Sequence, residues 1–207
     1  MTVKFTKSTL FITLNLICLL FFSTAHAKHV LIYGDSLSAA YGMRQEQGWV
    51  HLLGIALEDK YQMSNASISG ETSAGGLARL PLALTSFSPN IVVIALGAND
   101  GLRGYSTENL ADNLTKMIDL IKSAGATPVI AGVSIPPSYG PRYINQFRAV
   151  FPKVASDNDV AYLDLFREEF FNTEGYIQSD GLHPTPITQP IIRDIVKAFL
   201  FEAQLIE

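Results

Sequence analysis

The sequence predicts an α/β fold in which helices cover both faces of one parallel five-stranded sheet. Strand-like and helix-like segments alternate along the chain, which is typical of βαβ units. Two of the strand segments, residues 90–96 and 127–133, are nearly continuous apolar runs, as expected for buried parallel strands. Irregular segments rich in polar residues and glycine, at 34–48, 97–105 and 134–140, directly follow predicted strands, and the carboxyl ends of parallel strands are where sites form.

Each element rests on its own local pattern. Short apolar or β-branched runs predict five strands, at residues 29–33, 62–69, 90–96, 127–133 and 160–165. Apolar residues at helical spacing predict helices at residues 49–59, 76–84, 107–123, 141–157 and 187–200. The helix at 107–123 has the clearest ends, because Ser106 or Thr107 can cap its start and Gly125 lies beyond its end. A fourth irregular stretch covers 171–185, and no repeat or linker divides the chain.

The N-terminal segment has the pattern of a secretory signal peptide. Lys4 and Lys7 give it a positive start, and residues 9–22 form an uncharged apolar run. Ala25 and Ala27 are the small residues that a signal peptidase reads, so we expect cleavage after Ala27. The predicted organisation is therefore a signal peptide at 1–27 and one domain at 28–207, exported to the periplasm or secreted.

Two other interpretations fit this segment less well. A retained membrane anchor needs about 20 apolar residues, and the run at 9–22 is shorter. A lipoprotein would use Cys18, which lies inside the apolar run rather than after it. We therefore expect no stable membrane insertion of the mature chain.

Composition excludes several classes of function. Without residues 1–27 the chain keeps 13 of its 15 basic residues and all 19 acidic ones, so its net charge is −6. This acidic balance argues against nucleic acid or an anionic membrane as a main partner. The only cysteine lies in the signal segment, which leaves the mature protein without a disulfide, a cysteine nucleophile or a thiolate metal site. We expect a monomer acting on a small-molecule substrate.

The residues for acyl-transfer chemistry follow the predicted strands, although they are far apart in the sequence. Asp180 and His183 are three residues apart in a short loop, so the carboxylate can reach Nδ1–H of the imidazole. Nε2 is then free to accept a proton from the hydroxyl of Ser36, which follows the first strand. Gly70 and Asn99 follow the second and third strands. Their backbone and side-chain N–H groups, with the N–H of Ser36, offer three donors to an oxyanion.

These motifs resemble the SGNH, or GDSL, hydrolases. Ser36, Gly70, Asn99 and His183 match the residues that name the four blocks of that family, and GDSL itself stands at 34–37. The resemblance covers residues 30–200 and is strongest to the small periplasmic thioesterase I/lysophospholipase (arylesterase) type, as in LIYGDSLSAAYGM and SDGLHPTPITQP. It implies a flavodoxin-like three-layer α/β/α sandwich. It also implies hydrolysis of acyl thioesters, lysophospholipids and simple aryl esters, with no metal or organic cofactor.

Alternatives remain at the level of the substrate. The same scaffold and residues would serve a carbohydrate esterase that deacetylates a glycan, whereas the complete set of reactive groups argues against a non-enzymatic binding protein. The loops at 102–105 and 137–143 carry apolar and aromatic residues beside the site, which form either an acyl-chain groove or ordinary loop packing. The candidate substrate-binding residues there are Leu102, Tyr105, Pro137 and Tyr139.

Other polar and aromatic residues near the motifs have simpler interpretations. Asp35 is expected to hold the loop after the first strand, and Asp100 and Arg103 to order the loop after the third. Trp49 is expected in the core. His29 and His51 are expected to be structural or solvated, which leaves His183 as the candidate base.

Overall fold

A computed structural model describes residues 27–57 and 60–207, and it confirms the predicted fold. All five strands are parallel and lie in the order β2-β1-β3-β4-β5, which is the flavodoxin-like order. The strands are β1 (Lys28–Gly34), β2 (Tyr61–Asn65), β3 (Ile91–Ala95), β4 (Thr127–Val133) and β5 (Ala161–Phe166). The helices are α1 (Trp49–Ala56), α2 (Ser73–Phe87), α3 (Ala98–Leu102), α4 (Thr107–Ser123), α5 (Pro141–Arg148), α6 (Val150–Asp157), α7 (Glu169–Asn172) and α8 (Gln189–Glu202).

The helices form one layer on each face of the sheet. Helices α1 and α8 pack on each other over one face, while α2, α4 and α6 pack side by side over the other. Because both faces are covered, β1 and β3 are buried almost throughout; β3 is apolar along its whole length, and β1 is apolar at Val30, Leu31 and Ile32. Trp49 is fully buried, as expected, and its indole N–H donates to the Leu37 carbonyl at 3.2 Å. This contact fixes α1 against the loop that follows β1.

Two elements, α4 and β4, have the bounds that the sequence predicts; the others differ at their ends, and three of these differences have a clear local cause. Strand β2 ends at Asn65 rather than at 69, because the Asn65 side chain accepts a hydrogen bond from Ser67 N–H at 3.1 Å and turns the chain. Helix α2 starts three residues early because Thr72 caps it. The predicted helix at 141–157 is two helices, since Pro152 cannot donate to the Arg148 carbonyl.

The N-terminal predictions fall largely beyond the structure. Residues 1–26, which hold nearly all of the predicted signal peptide, lie outside the described residues, as do residues 58–59 of the predicted first helix. Across 27–57 and 60–207, no helix combines the length and the apolar character needed to cross a membrane.

Candidate active site

The turn after β1 presents Ser36 at the carboxyl edge of the sheet. Strand β1 is paired on both sides, so this turn lies between the ends of β2 and β3. The Asp35 carbonyl accepts hydrogen bonds from Ser38 N–H and Ala39 N–H at 3.1 and 3.0 Å, which closes the chain into a tight turn. Ser36 is partly exposed at the start of this turn, while Asp35 and Leu37 on either side are buried.

An unbroken row of hydrogen bonds joins the three residues predicted for the triad. Nε2 of His183 lies 2.8 Å from Oγ of Ser36, and Nδ1 lies 2.7 Å from Oδ2 of Asp180. An ionised carboxylate only accepts hydrogen bonds, so Nδ1 carries the proton and Nε2 accepts from the serine hydroxyl. The fold therefore brings Ser36 against His183, which lies 147 positions later in the chain, and His183 in turn contacts Asp180.

The loop that carries Asp180 and His183 holds its own carboxylate in place. Oδ1 of Asp180 accepts hydrogen bonds from Leu182 N–H and His183 N–H at 2.9 and 3.0 Å, which leaves Oδ2 for the imidazole. Burial acts to raise the pKa of Asp180, but the hydrogen bonds from His183 and Leu182 outweigh it and hold that pKa below its usual value. Asp180 is thus an anion at neutral pH.

The predicted oxyanion donors stand on the two neighbouring strand ends. Among the described residues, neither Ser36 N–H nor Gly70 N–H donates to a protein acceptor. Gly70 has φ +79°, a left-handed conformation that glycine adopts without strain, and a Cβ there would meet nothing within 4 Å. The Asn99 amide donates one hydrogen to Asp35 Oδ2 at 3.3 Å, which leaves the second hydrogen available.

Asp35 joins the nucleophile turn to Asn99. Its carboxylate is fully buried and accepts from Leu37 N–H at 3.0 Å and from the Asn99 amide. Burial raises the pKa of Asp35 to about 7 against these two hydrogen bonds, and the Asp100 carboxylate raises it further. Asp35 therefore has the structural role that we expected for it.

Asp100 and Arg103 fasten the loop of Gly70 to α3. The Asp100 carboxylate accepts from Ser73 N–H at 2.8 Å and from the Ser73 hydroxyl at 2.5 Å, at the start of α2. The Arg103 guanidinium donates to the Gly70 carbonyl at 3.1 Å. Helix α3 lies in a stretch that we expected to be irregular, and these contacts explain why this short segment is ordered.

Two tyrosines connect the loops predicted to form a groove. The hydroxyl of Tyr139 donates to the Leu102 carbonyl at 3.0 Å, and that of Tyr143 donates to the Gly101 carbonyl at 3.0 Å. Tyr105 and Pro137 are exposed nearby, and Tyr139 lines a cavity of about 410 Å³ with Tyr143 and Arg142. The loops at 102–105 and 137–143 are therefore in contact.

Two residues in contact with the site were not singled out from the sequence. The ring of Tyr41 stacks on the imidazole of His183, with 4.2 Å between ring centroids and 29° between planes. The side-chain amide of Gln178 donates to the Tyr41 and Pro184 carbonyls, each at 3.0 Å. Both lie in loops that carry predicted motifs, and an aromatic residue five positions after the serine was the available signal for Tyr41.

The two other histidines among the described residues, His29 and His51, lie away from this row. His29 is buried, and its Nε2 lies 2.8 Å from the Ser64 hydroxyl. His51 is exposed on α1. Neither contacts Ser36 or Asp180 among the hydrogen bonds of the described residues.

Known proteins with the same fold and similar sequence are ester hydrolases. The family described as "GDSL-like Lipase/Acylhydrolase" matches residues 32–189. Esterase TesA of Pseudomonas aeruginosa is 46% identical over 169 residues, covering 80% of this chain and 84% of that protein. Thioesterase 1/protease 1/lysophospholipase L1 of Escherichia coli is 42% identical over 176 residues, covering 85% of each chain.

A solved structure gives the same result for the fold. The psychrotrophic esterase EstA from Pseudoalteromonas sp., inhibited by monoethylphosphonate, superposes with a TM-score of 0.81 at 39% identity. The match covers 86% of this chain and all of that one. The chain therefore belongs to the GDSL-like lipase/acylhydrolase family and is a hydrolase that acts on ester bonds.

Proposed function

We propose that this protein hydrolyses acyl esters and thioesters through an acyl-enzyme on Ser36, with His183 as general base and Asp180 as its partner. The observation that carries the proposal is the continuous row of hydrogen bonds at 2.8 and 2.7 Å from the serine hydroxyl to the carboxylate. A serine hydroxyl is a weak nucleophile on its own, and an adjacent base oriented by a third group is what activates it.

Acylation begins with attack of Ser36 Oγ on the carbonyl carbon of the substrate. Nε2 of His183 takes the hydroxyl proton, and Asp180 stabilises the imidazolium that forms. The tetrahedral intermediate then collapses, the bond to the leaving oxygen or sulfur breaks, and the imidazolium returns its proton to that atom. The alcohol or thiol departs and the acyl group stays on Ser36.

Deacylation repeats the sequence with water as the nucleophile. His183 takes a proton from the water as its oxygen attacks the acyl carbon. Collapse of the second intermediate breaks the bond to Ser36 Oγ, and the imidazolium returns its proton to that oxygen. The products are the carboxylic acid and the free enzyme, so no cofactor is consumed.

The negative charge of both intermediates would be stabilised by the N–H groups of Ser36 and Gly70 and by the Asn99 amide. Their support is that two of these donors have no protein acceptor in the described chain and the third keeps one free hydrogen. Donors aimed at a developing oxyanion are worth more in the transition state than in the bound substrate.

The substrates that we propose are lysophospholipids, acyl thioesters and simple aryl esters. Relatives whose names include esterase, thioesterase and lysophospholipase support this range. The acyl chain would lie between the loops at 102–105 and 137–143, against Leu102, Tyr105, Pro137 and Tyr139. Each further CH₂ buried there contributes up to about 0.8 kcal/mol.

Labelling with a fluorophosphonate tests the nucleophile directly. The wild-type protein should be labelled and should hydrolyse p-nitrophenyl butyrate, whereas Ser36→Ala should lose both, with kcat lower by on the order of 10⁶. Ser123→Ala, an exposed serine at the end of α4, is the matched control and should keep both. Turnover by a clean Ser36→Ala preparation would contradict the assignment.

A series of p-nitrophenyl esters from acetyl to dodecanoyl tests the substrate class. Catalytic efficiency should rise from acetyl toward medium chains if the acyl group is buried between the two loops. A preference for acetyl would instead favour the carbohydrate esterase, and Tyr139→Ala should flatten the rise if this residue lines the groove.

We also propose that residues 1–27 direct export and are removed. The support is the positive start, the apolar run and the alanines at 25 and 27. N-terminal sequencing of the protein recovered from a periplasmic fraction should begin at Lys28. Recovery only from the cytoplasm with an intact N-terminus would contradict the proposal.

A further inference from the structure

We propose that Tyr41 and Gln178 act together as positioning residues for the imidazole of His183. This inference rests on the proposed function, in which His183 exchanges protons with Ser36 and with the leaving group. Neither residue belongs to the triad or to the oxyanion donors. Both come from the loops that carry Ser36 and His183, and each contacts the loop of the other.

The aromatic ring of Tyr41 contacts a face of the His183 imidazole, whereas the two hydrogen bonds of His183 contact only its edge. Ser36 and Asp180 hold the two ring nitrogens in the plane of the imidazole, but in-plane contacts leave the tilt of that plane less constrained. With ring centroids 4.2 Å apart and planes 29° apart, Tyr41 covers one face of the imidazole and limits its tilt. His183 is only 8% exposed although it lies at the mouth of the site, while Tyr41 itself is 48% exposed.

The same stack favours the charged intermediate of the reaction. A cation within about 6 Å of an aromatic face is attracted by the ring quadrupole. The titratable groups in contact with the imidazole are Asp180 from its own loop and Tyr41 from the loop after β1. The carboxylate of Asp35, next to Ser36, is turned to Leu37 and Asn99. Tyr41 therefore adds to the effect of Asp180 when the imidazolium forms.

The phenol hydroxyl of Tyr41 takes no part in holding the imidazole. Among the described residues it forms no hydrogen bond, whereas the Tyr41 carbonyl accepts from Gln178. Tyr41 therefore acts through its ring and its backbone carbonyl. Phenylalanine should preserve both.

Gln178 ties the two loops to each other. Its side-chain Nε2 donates to the Tyr41 carbonyl on one side and to the Pro184 carbonyl on the other, each at 3.0 Å. Its backbone N–H donates to the His183 carbonyl at 2.8 Å. Gln178 thus fixes the position of Tyr41 relative to the backbone of His183 and Pro184.

Gly42 makes the close approach of Gln178 possible. It has φ +73°, and a Cβ at this position would lie 2.5 Å from Gln178 Oε1. Any side chain here would therefore displace the amide that bridges the loops. The glycine at this turn therefore leaves the space that the bridging amide of Gln178 occupies.

The first experiment compares Tyr41→Leu with Tyr41→Phe. Tyr41→Leu should lower kcat about two- to five-fold with KM unchanged, and move the acid limb of kcat/KM to lower pH, because the imidazolium loses its aromatic face. Tyr41→Phe, which keeps the ring, should have the kcat and the pH profile of the wild type. Phe201→Leu, which removes a similarly exposed aromatic ring from the end of α8, is the matched control and should change neither.

A leaving-group series separates positioning of the imidazole from contact with the substrate. Ethyl, phenyl and p-nitrophenyl esters of one acid share the same deacylation step. A positioning residue lowers acylation and deacylation alike, so Tyr41→Leu should lose the same factor on all three esters. A loss confined to the aryl esters would overturn the inference and make Tyr41 a wall of the leaving-group site.

The second experiment tests the connection between the two residues. Gln178→Met keeps the side-chain length but removes the bridging amide, and should lower kcat about ten-fold by releasing two hydrogen bonds. Gln62→Met on the exposed edge strand β2 is the control and should be unaffected. In the double variant Tyr41→Leu/Gln178→Met, kcat should fall by less than the product of the two single-variant factors, because both residues position the same imidazole, that of His183.

These outcomes are distinguishable from failure of the proposed function. If wild type is not labelled by a fluorophosphonate, or if Ser36→Ala remains active, the proposed function fails. If wild type is labelled and Ser36→Ala is inactive, but Tyr41→Leu matches wild type in rate and pH profile, only the positioning role is overturned. Fully multiplicative losses in the folded double variant would overturn the coupling.

Discussion

Replacing Asp180 by asparagine tests the triad with the smallest change in shape. Oδ1 of Asp180 accepts from two backbone N–H groups, so asparagine should keep its oxygen there and turn its NH₂ toward Nδ1 of His183. Nδ1 would then have to accept, and the ring proton would move to Nε2, where it faces Ser36. In a serine protease triad this wrong tautomer lowers kcat about 10⁴-fold, which corresponds to roughly 5 kcal/mol of transition-state stabilisation.

The same substitution should also move the pH profile. The two side chains are 2.7 Å apart, but the Asp180 side chain is 39% exposed, so solvent screens their interaction. The negative charge of the carboxylate favours the imidazolium that forms during the reaction, by an attraction that solvent weakens. Removing it should therefore shift the acid limb of kcat/KM to lower pH.

The assay is kcat/KM against pH from 4 to 9 on a soluble p-nitrophenyl ester, for wild type and Asp180→Asn. Asp194→Asn, on the exposed surface of α8, is the matched control and should reproduce the wild-type curve. If the Asp180→Asn limb stays in place and the rate is nearly intact, Asp180 only stabilises its turn and the reasoning is refuted.

Two further substitutions test the groups beneath the nucleophile. Asn99→Ala should lower kcat by about 10²–10³ with KM nearly unchanged, since the amide acts on the oxyanion rather than on bound substrate; a change in KM alone would count against this role. Because burial raises the pKa of Asp35 to about 7, the unfolded chain releases this proton first as pH rises, so wild type should lose stability between about pH 4 and 7. Asp35→Asn should remove that part of the decline, as thermal unfolding against pH would measure; parallel curves for the two proteins would contradict it.

Much of the fold and the candidate site is readable from the sequence because the signals are local. Helix α4 and strand β4 have the predicted bounds. For the helix, the Ser106 side chain caps the start and Gly125, with a left-handed φ, lies two residues beyond the end. Asp180 and His183 are also a local pair, three residues apart in one loop. Ser36, by contrast, was placed opposite them only because every predicted strand is parallel and its motif follows a strand.

The tertiary structure decided the parts that depend on distant contacts. Helix α3 has no strong sequence pattern and is held by Asp100 on the start of α2. The stacking of Tyr41 on His183 joins residues far apart in the chain, and so does the bridge that Gln178 makes to Tyr41. No periodicity or spacing encodes such contacts. The sequence by itself determined which chemical groups reach the edge of the sheet; only the packing of the loops determined how the imidazole is held, because its tilt depends on atoms brought together by the whole fold.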